Sequence, residues 1–366
     1  MCPVAQAGSF WLALWNSQPL LAQIIVMNTR TLIPFVAVLF AAFTLTVQLP
    51  AQTDTFGSGL NTFTIDFVTV GNPGNAADTS GDPNPVGSVA YAYNLGMYEV
   101  SRDQIEKANA LWNLQIQMLD SLLPGGNRPN HPAIGVTWNQ AARFVNALNT
   151  SKGYQAAYNF TTSGFNDNIS LWSVEDSAQN GANRFRHKDA YYFLPSVDEW
   201  YKGAYYDPNK GGEGVGGYWR YPTGSDSPPV PVSGGTAVNT AVYNQWFDQQ
   251  YRDPADVNNA GGLSPYGTMA QGGNVQEWNE SSVFGTYDSP TAAREIRGGA
   301  WYFSQAWESG GMISSTREFL DPHLRFSDSH YYRLGFRVAS VPEPSTYALL
   351  AMSGAAAALW LSRRRQ

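Results

Sequence analysis

Between residues 54 and 70, apolar Phe63, Ile65 and Phe67 alternate with polar Thr62, Thr64 and Asp66. A period of two puts one side of an extended chain against a core, so this segment reads as a strand. Residues 71–88 are crowded with Gly, Asn, Asp and Pro and read as loop. Residues 89–98 are rich in aromatics and read as a second strand. Three helices are announced by their first turns. Ser101 with Gln104, Thr137 with Gln140, and Ser196 with Glu199 each fit the box in which a hydroxyl caps the N3 amide while the N3 side chain reaches back. The spacing predicts helices over 102–122, 138–149 and 197–205. In the second, Trp138, Ala142, Val145 and Leu148 share one face. Long loops are expected at 207–236 and 250–267, and short strands at 295–303 and 333–339.

The two ends break this pattern. No Lys or Arg precedes Arg30; Met27 then opens a basic residue, an apolar stretch over 32–47 and small residues ending near Ala51. That layout reads as a secretory signal peptide, with Met27 as the true start and residues 1–51 as extension plus signal. At the other end an apolar stretch over 347–361 is followed by Arg363, Arg364 and Arg365. It is short for a spanning helix, and its basic end would stay cytoplasmic. Pro342-Glu343-Pro344, the apolar stretch and the Arg cluster together resemble the PEP-CTERM sorting signal, placed at 341–366. The resemblance implies export to the outer envelope or beyond, a transient membrane anchor, and recognition by an exosortase.

Composition narrows the class of the middle. Of 366 residues only 14% are charged, while 14% are aromatic, with 35 Gly and 22 Pro. Few charges and many aromatics are the reverse of disorder, and many Gly and Pro argue for a loop-rich fold. A net charge of -7 lacks the basic stripe that nucleic acid requires. The single Cys, Cys2, lies in the extension, which excludes a disulfide framework and a Cys-built zinc site.

Five blocks then occur in order: HPAIGVTWNQAARFVNALN, YFLPSVDEWYKGAYYDP, SPYGTMAQGGNVQEWNES, REIRGGAWYF and YRLGFRVA. Together they resemble the formylglycine-generating-enzyme, or sulfatase-modifying-factor, domain over residues 62–340. The resemblance implies an α+β fold, an elaborated C-type-lectin-like architecture that is loop-rich with few short helices and strands.

The resemblance also implies where chemistry would sit. Formylglycine-forming members bind copper through two thiolates just after the R-G-G-[SA]-W strand. Those positions fall on Phe303 and Glu308, so copper is not expected. An iron-using branch carries His ligands on a separate helical domain, and no His precedes His131 here. His323 and His330, with Glu318, Asp321 or Asp328, form either a non-heme site or a solvated loop; His131 reads as structural. For calcium, the family site around G-N-V-x-E-W maps onto the Gly273 and Val275 carbonyls and the Glu277 carboxylate. Its upstream Asn/Asp position falls on Ala270, which has no oxygen to give. A second family site maps onto Asn244, Gln245 and Asp256 or Asp253. The other reading of Glu277 is a buried carboxylate paired with Arg297 or Arg337, both read as structural arginines. Aromatics such as Trp219, Tyr221, Trp246, Tyr251, Trp301, Tyr302, Trp307, Tyr331 and Tyr332 either fill the core or stack on a ligand. The functions in view are an exported non-catalytic module binding glycan or an envelope protein, a matrix component, or an enzyme whose metal is held by His and carboxylates.

Overall fold

The structure, a computed structural model, describes residues 52–118, 128–160, 168–247, 250–251, 253–304, 311–323 and 331–342. The chain divides into Met1–Gln48 and Leu49–Gln366, and all described residues lie in the second unit. Both apolar terminal stretches and their signals therefore lie outside the described residues. Among the described residues no helix is long and apolar enough to cross a membrane.

The alternating segment near the start is a hairpin rather than one strand. Strands β1 (Gln52–Phe56) and β2 (Phe63–Val70) pair antiparallel about a turn entered through Gly57 at φ 76°. Phe56 and Phe63 stack at 5.4 Å on the buried side. Strand β3 (Tyr93–Gly96) is shorter than the 89–98 expected.

All three helices begin where their boxes place them. Helix α1 (Arg102–Trp112) and helix α2 (Trp138–Ser151) have both reciprocal cap bonds. Helix α1 stops well before 122, because Asn113 turns left-handed at φ 51° and caps it. Strands β4 (Ser177–Ala178) and β5 (Asn183–His187) form a small ladder, and β6 (Tyr192–Phe193) leads into helix α3 (Val197–Tyr205).

The second half contributes β7 (Gln276–Ser282), β8 (Arg294–Arg297), β9 (Glu318–Leu320), β10 (Leu334–Gly335) and β11 (Ala339–Ser340). One sheet has the order β1-β2-β3-β11-β6 and the other β9-β8-β7-β10. The 333–339 strand is thus split: β10 joins one sheet and β11 the other, and Arg337 stands between them. Gly335 is required there, since a Cβ would meet Val275 Cγ2 at 2.7 Å. The main core packs β2, α1 and α2 against β7, β8 and β10 through Phe63, Ile105, Phe144, Trp138, Trp278 and Ile296.

Candidate functional site

The recognisable blocks converge on a buried salt bridge. Glu277, on β7, is fully enclosed. Its Oε2 accepts from Arg337 Nε at 2.6 Å and from Trp200 Nε1 at 2.7 Å, and its Oε1 accepts from Arg337 Nη2 at 2.5 Å. Arg337 also donates to the carbonyls of Gly96 at 2.8 Å and Met269 at 2.9 Å. Arg297 is opposite Glu277 in the ladder, yet its side chain leaves for Glu295, at 2.5 Å. The indoles follow the same logic: Trp138 Nε1 donates to Asn279 O and Trp278 Nε1 to Val136 O. Each motif residue closes a polar contact that burial would otherwise leave open.

Beside this pair lies a second carboxylate with no cation of its own. Glu99 accepts from Asn274 Nδ2 at 2.5 Å and from the Val275 amide at 3.1 Å. Burial, then the nearby charge of Glu277, push its pKa well above the usual carboxylate range.

The residues implied for calcium are arranged as follows. Gly273 is at φ 83°, and its amide donates to Gly298 O at 2.6 Å. Ala270 is buried at φ 63° and brings no oxygen. Calcium takes about six to eight oxygens, and both Glu277 oxygens are already held by a cation and an indole. The Glu277 donor set is that of a salt bridge and does not fit calcium. The Asn244 and Gln245 amides donate to Phe303 O and Trp301 O, each at 2.8 Å, and the Gln245 side chain donates to Val232 O and Tyr243 O. Asp256 turns instead towards His131, with Oδ1 3.7 Å from Nε2. His131 is buried, and burial followed by the charge of Arg128 lowers its pKa to about 4. Among the described residues no three His, Cys, Asp or Glu side chains come together as a metal-binding group.

Phe303 stands where the resemblance places the first copper thiolate. Its ring is buried beside Ala300 and Trp301, with the Arg333 guanidinium 4.8 Å above it. Arg333 is held by Glu318 at 2.5 Å, and Glu318 also accepts from Gln276 at 2.9 Å. His323 is beside its own neighbour Asp321 at 3.1 Å. Glu308, Asp328 and His330 lie outside the described residues. Of the aromatics, Tyr221 and Trp301 are core, and Trp219 carries Lys210 over its ring at 4.1 Å.

Sequence reasoning missed a second buried cluster, and with it the largest cleft. Arg186, on β5, forks between two glutamates. It bonds Glu280 at 2.6 Å and Glu199 at 2.8 Å through Nη2, Glu280 again through Nε, and Glu199 again through Nη1. Tyr158 donates to Glu280 at 2.9 Å, Asn183 to Glu280 at 2.5 Å, and Tyr91 to Glu199 at 2.6 Å. Glu199 also accepts the Ser196 amide, so one carboxylate caps α3 and anchors Arg186. Burial alone would raise Glu199, but Arg186 outweighs it and the pKa is lowered. The available signal was indirect: two glutamates inside buried blocks demand a base from elsewhere in the chain.

Above this cluster opens a cleft of about 670 Å³, lined among others by Tyr91, Tyr93, Gln179, Arg186, Phe193 and Val341. Phe193 is covered by the Arg186 guanidinium at 3.7 Å. Gln179 and Asn180 on the rim are both left-handed, at φ 53° and 56°. Gln179 Nε2 donates to Tyr91 Oη at 3.3 Å. Backbone held this way fixes amide side chains at a cleft mouth.

Known proteins place this geometry. No curated protein matches. Among solved structures the fold is similar to Treponema denticola variable protein 1, at 19% identity and TM-score 0.52, over 80% of this chain and 100% of that one. It is also similar to CarF, at 18% identity and TM-score 0.51, over 76% of this chain and 99% of that one. A PEP-CTERM protein-sorting motif matches residues 340–365, which implies exosortase processing, export and sorting to the cell surface. The sulfatase-modifying factor enzyme 1-like domain matches residues 66–341, and the chain belongs to that family.

Proposed function

We propose that this is a non-catalytic binding module displayed at the cell envelope, and that its ligand site is the cleft above Arg186. The observation that carries this reading is Phe303. A buried aromatic ring under Arg333 occupies the implied thiolate position, and a phenyl ring can neither bind Cu(I) nor exchange with a substrate thiol. The chain's one cysteine is Cys2, in the extension.

The cleft suits recognition better than reaction. Arg186, Glu199 and Glu280 satisfy one another, so none is a free acid or base. What faces a ligand is the Tyr91 ring, with Gln179, Asn180 and Lys188 around it. A flat ring beside amide donors and acceptors matches a sugar ring, whose C–H face stacks while its hydroxyls bond. An envelope glycan is therefore the favoured ligand. Two measurements test the proposal. The purified domain, loaded with copper and given a cysteine peptide, should form no formylglycine above a metal-free control. A glycan array should show binding that Tyr91→Ala removes; turnover in the first assay, or binding untouched by Tyr91→Ala, refutes the reading.

A further inference from the structure

The largest cleft and the sorting signal share a wall. Strand β11 ends at Ser340, which is buried and pairs with both β3 and β6. The Val341 amide then donates to Tyr191 O at 2.9 Å, and Val341 and Pro342 line the cleft. The apolar stretch of the signal begins at residue 347, so only residues 342–346 separate a hydrogen-bonded rim from it. Fully extended, that leash spans about 20 Å. The headgroup layer takes up about 5–8 Å of it. A domain of this size is about 50 Å across, so the leash is too short for it to roll and present another face.

The exposed apolar side chains near the exit fit this stance. Val174 is 61% exposed, Val341 43% and Tyr91 37%, and all three line the cleft. The far end of the sheet is identified by register. Asn94 is opposite both Thr69 and Ser340, and β2 and β11 run the same way. Phe63 therefore lies six residues, about 20 Å, behind the exit point, and the hairpin turn carrying Leu60, 97% exposed, lies beyond it.

We infer that, while the sorting segment is still attached and in the membrane, the mouth of the cleft is turned onto the bilayer surface and closed to ligands in the surrounding fluid. Removal of the segment opens it. The inference rests on the cleft being the ligand site and on residues 347–361 being held in the membrane. It makes the processing step a switch for binding as well as for release.

Single-cysteine labelling tests this without knowledge of the ligand. The full chain, with Cys2→Ser so that an introduced thiol is the only one, is held in phosphatidylethanolamine–phosphatidylglycerol vesicles by its C-terminal segment and treated with a membrane-impermeant maleimide. Val174→Cys should react roughly tenfold more slowly than Leu60→Cys, the factor that about 1.4 kcal/mol of preferred orientation produces. A twenty-residue Gly-Ser insertion between Pro342 and Glu343 should bring the two rates together, as should removal of the C-terminal segment. Equal rates in the uninserted, membrane-held chain would overturn the inference. Glycan binding by the released domain is read separately, so failure of the ligand reading is distinguishable from failure of the orientation.

Discussion

Two buried clusters in this domain each contain two glutamates and one arginine, and they hold their charges differently. Around Arg186 the guanidinium bonds both Glu199 and Glu280. Around Arg337 it bonds Glu277 alone, and Glu99 is left with neutral donors from Asn274 and Val275. Glu199 is consequently held below the usual carboxylate pKa and Glu99 well above it. Composition is the same in both clusters. What differs is which oxygens a planar fork reaches, and that sets whether a buried carboxylate keeps its charge.

The sharpest way to break the comparison is Arg186→Met. Glu199 and Glu280 would then face each other in the core with no cation between them. The expected loss is about 4–5 kcal/mol, at the upper end for breaking a buried pair, read as a fall in the urea midpoint. Arg186→Lys should recover only part of it, because a lysine cannot fork to two carboxylates.

Glu277→Gln is the matching change in the other cluster, and it should cost less, about 2–3 kcal/mol. Arg337 keeps its bonds to Gly96 O and Met269 O, and Glu99 is close enough to take up the charge in Glu277's place. The cost should be the same with calcium and with EDTA. A loss that appears only in calcium would restore Glu277 as a metal ligand. A loss equal to that of Arg186→Met would show that Glu99 does not compensate.

These clusters also separate what was legible in the sequence from what was not. The capping boxes at Ser101, Thr137 and Ser196 placed three helix starts, because a cap is a local contact between residues three apart. Strand β7 escaped, since all seven of its residues are buried and no alternation is left to read. The end of α1 escaped because Asn113 stops the helix through a left-handed turn rather than through Gly or Pro. Glu277 with Arg297 or Arg337 was legible as a pair of alternatives. The choice between them depended on the two-sheet split around Arg337. Arg186 carried no motif at all: its partners are 13 and 94 residues away, and only the folded chain brings them together.

The opposite pKa shifts predict opposite pH slopes. Glu199 is lowered in the folded state, so its stabilisation is present above the unfolded carboxylate pKa of about 4.3 and is lost as pH falls. Glu99 is raised, so its contribution is present below that value and is lost as pH rises above it. Each slope approaches about 1.4 kcal/mol per pH unit at most. Glu99→Gln should therefore flatten the decline in stability above pH 4.3, while Glu199→Gln should flatten the decline below it. Chemical denaturation from pH 3 to 8 reads both variants against the wild type. Identical profiles for the two variants would remove the distinction between the clusters.

The smallest effect expected is at the seam between the Arg186 cluster and the cleft. Tyr91→Phe deletes one hydroxyl and keeps the ring. Glu199 Oε1 loses its bond from Tyr91 but keeps the one from Arg186 Nη1 at 3.0 Å, so no carboxylate is left unpaired. A hydrogen bond to a charged group contributes about 1.5–3 kcal/mol. Tyr91 lies at the cleft mouth, where water can replace its hydroxyl, so the cost should fall at or below about 1.5 kcal/mol. The same hydroxyl accepts from Gln179 Nε2, so its loss also frees the rim amide while leaving the stacking face intact. Tyr91→Phe should thus weaken glycan binding by less than tenfold, whereas Tyr91→Ala removes the platform and abolishes it. If Tyr91→Phe and Tyr91→Ala weaken binding equally, the ring is not the platform and the cleft recognises its ligand through Oη and Gln179 instead.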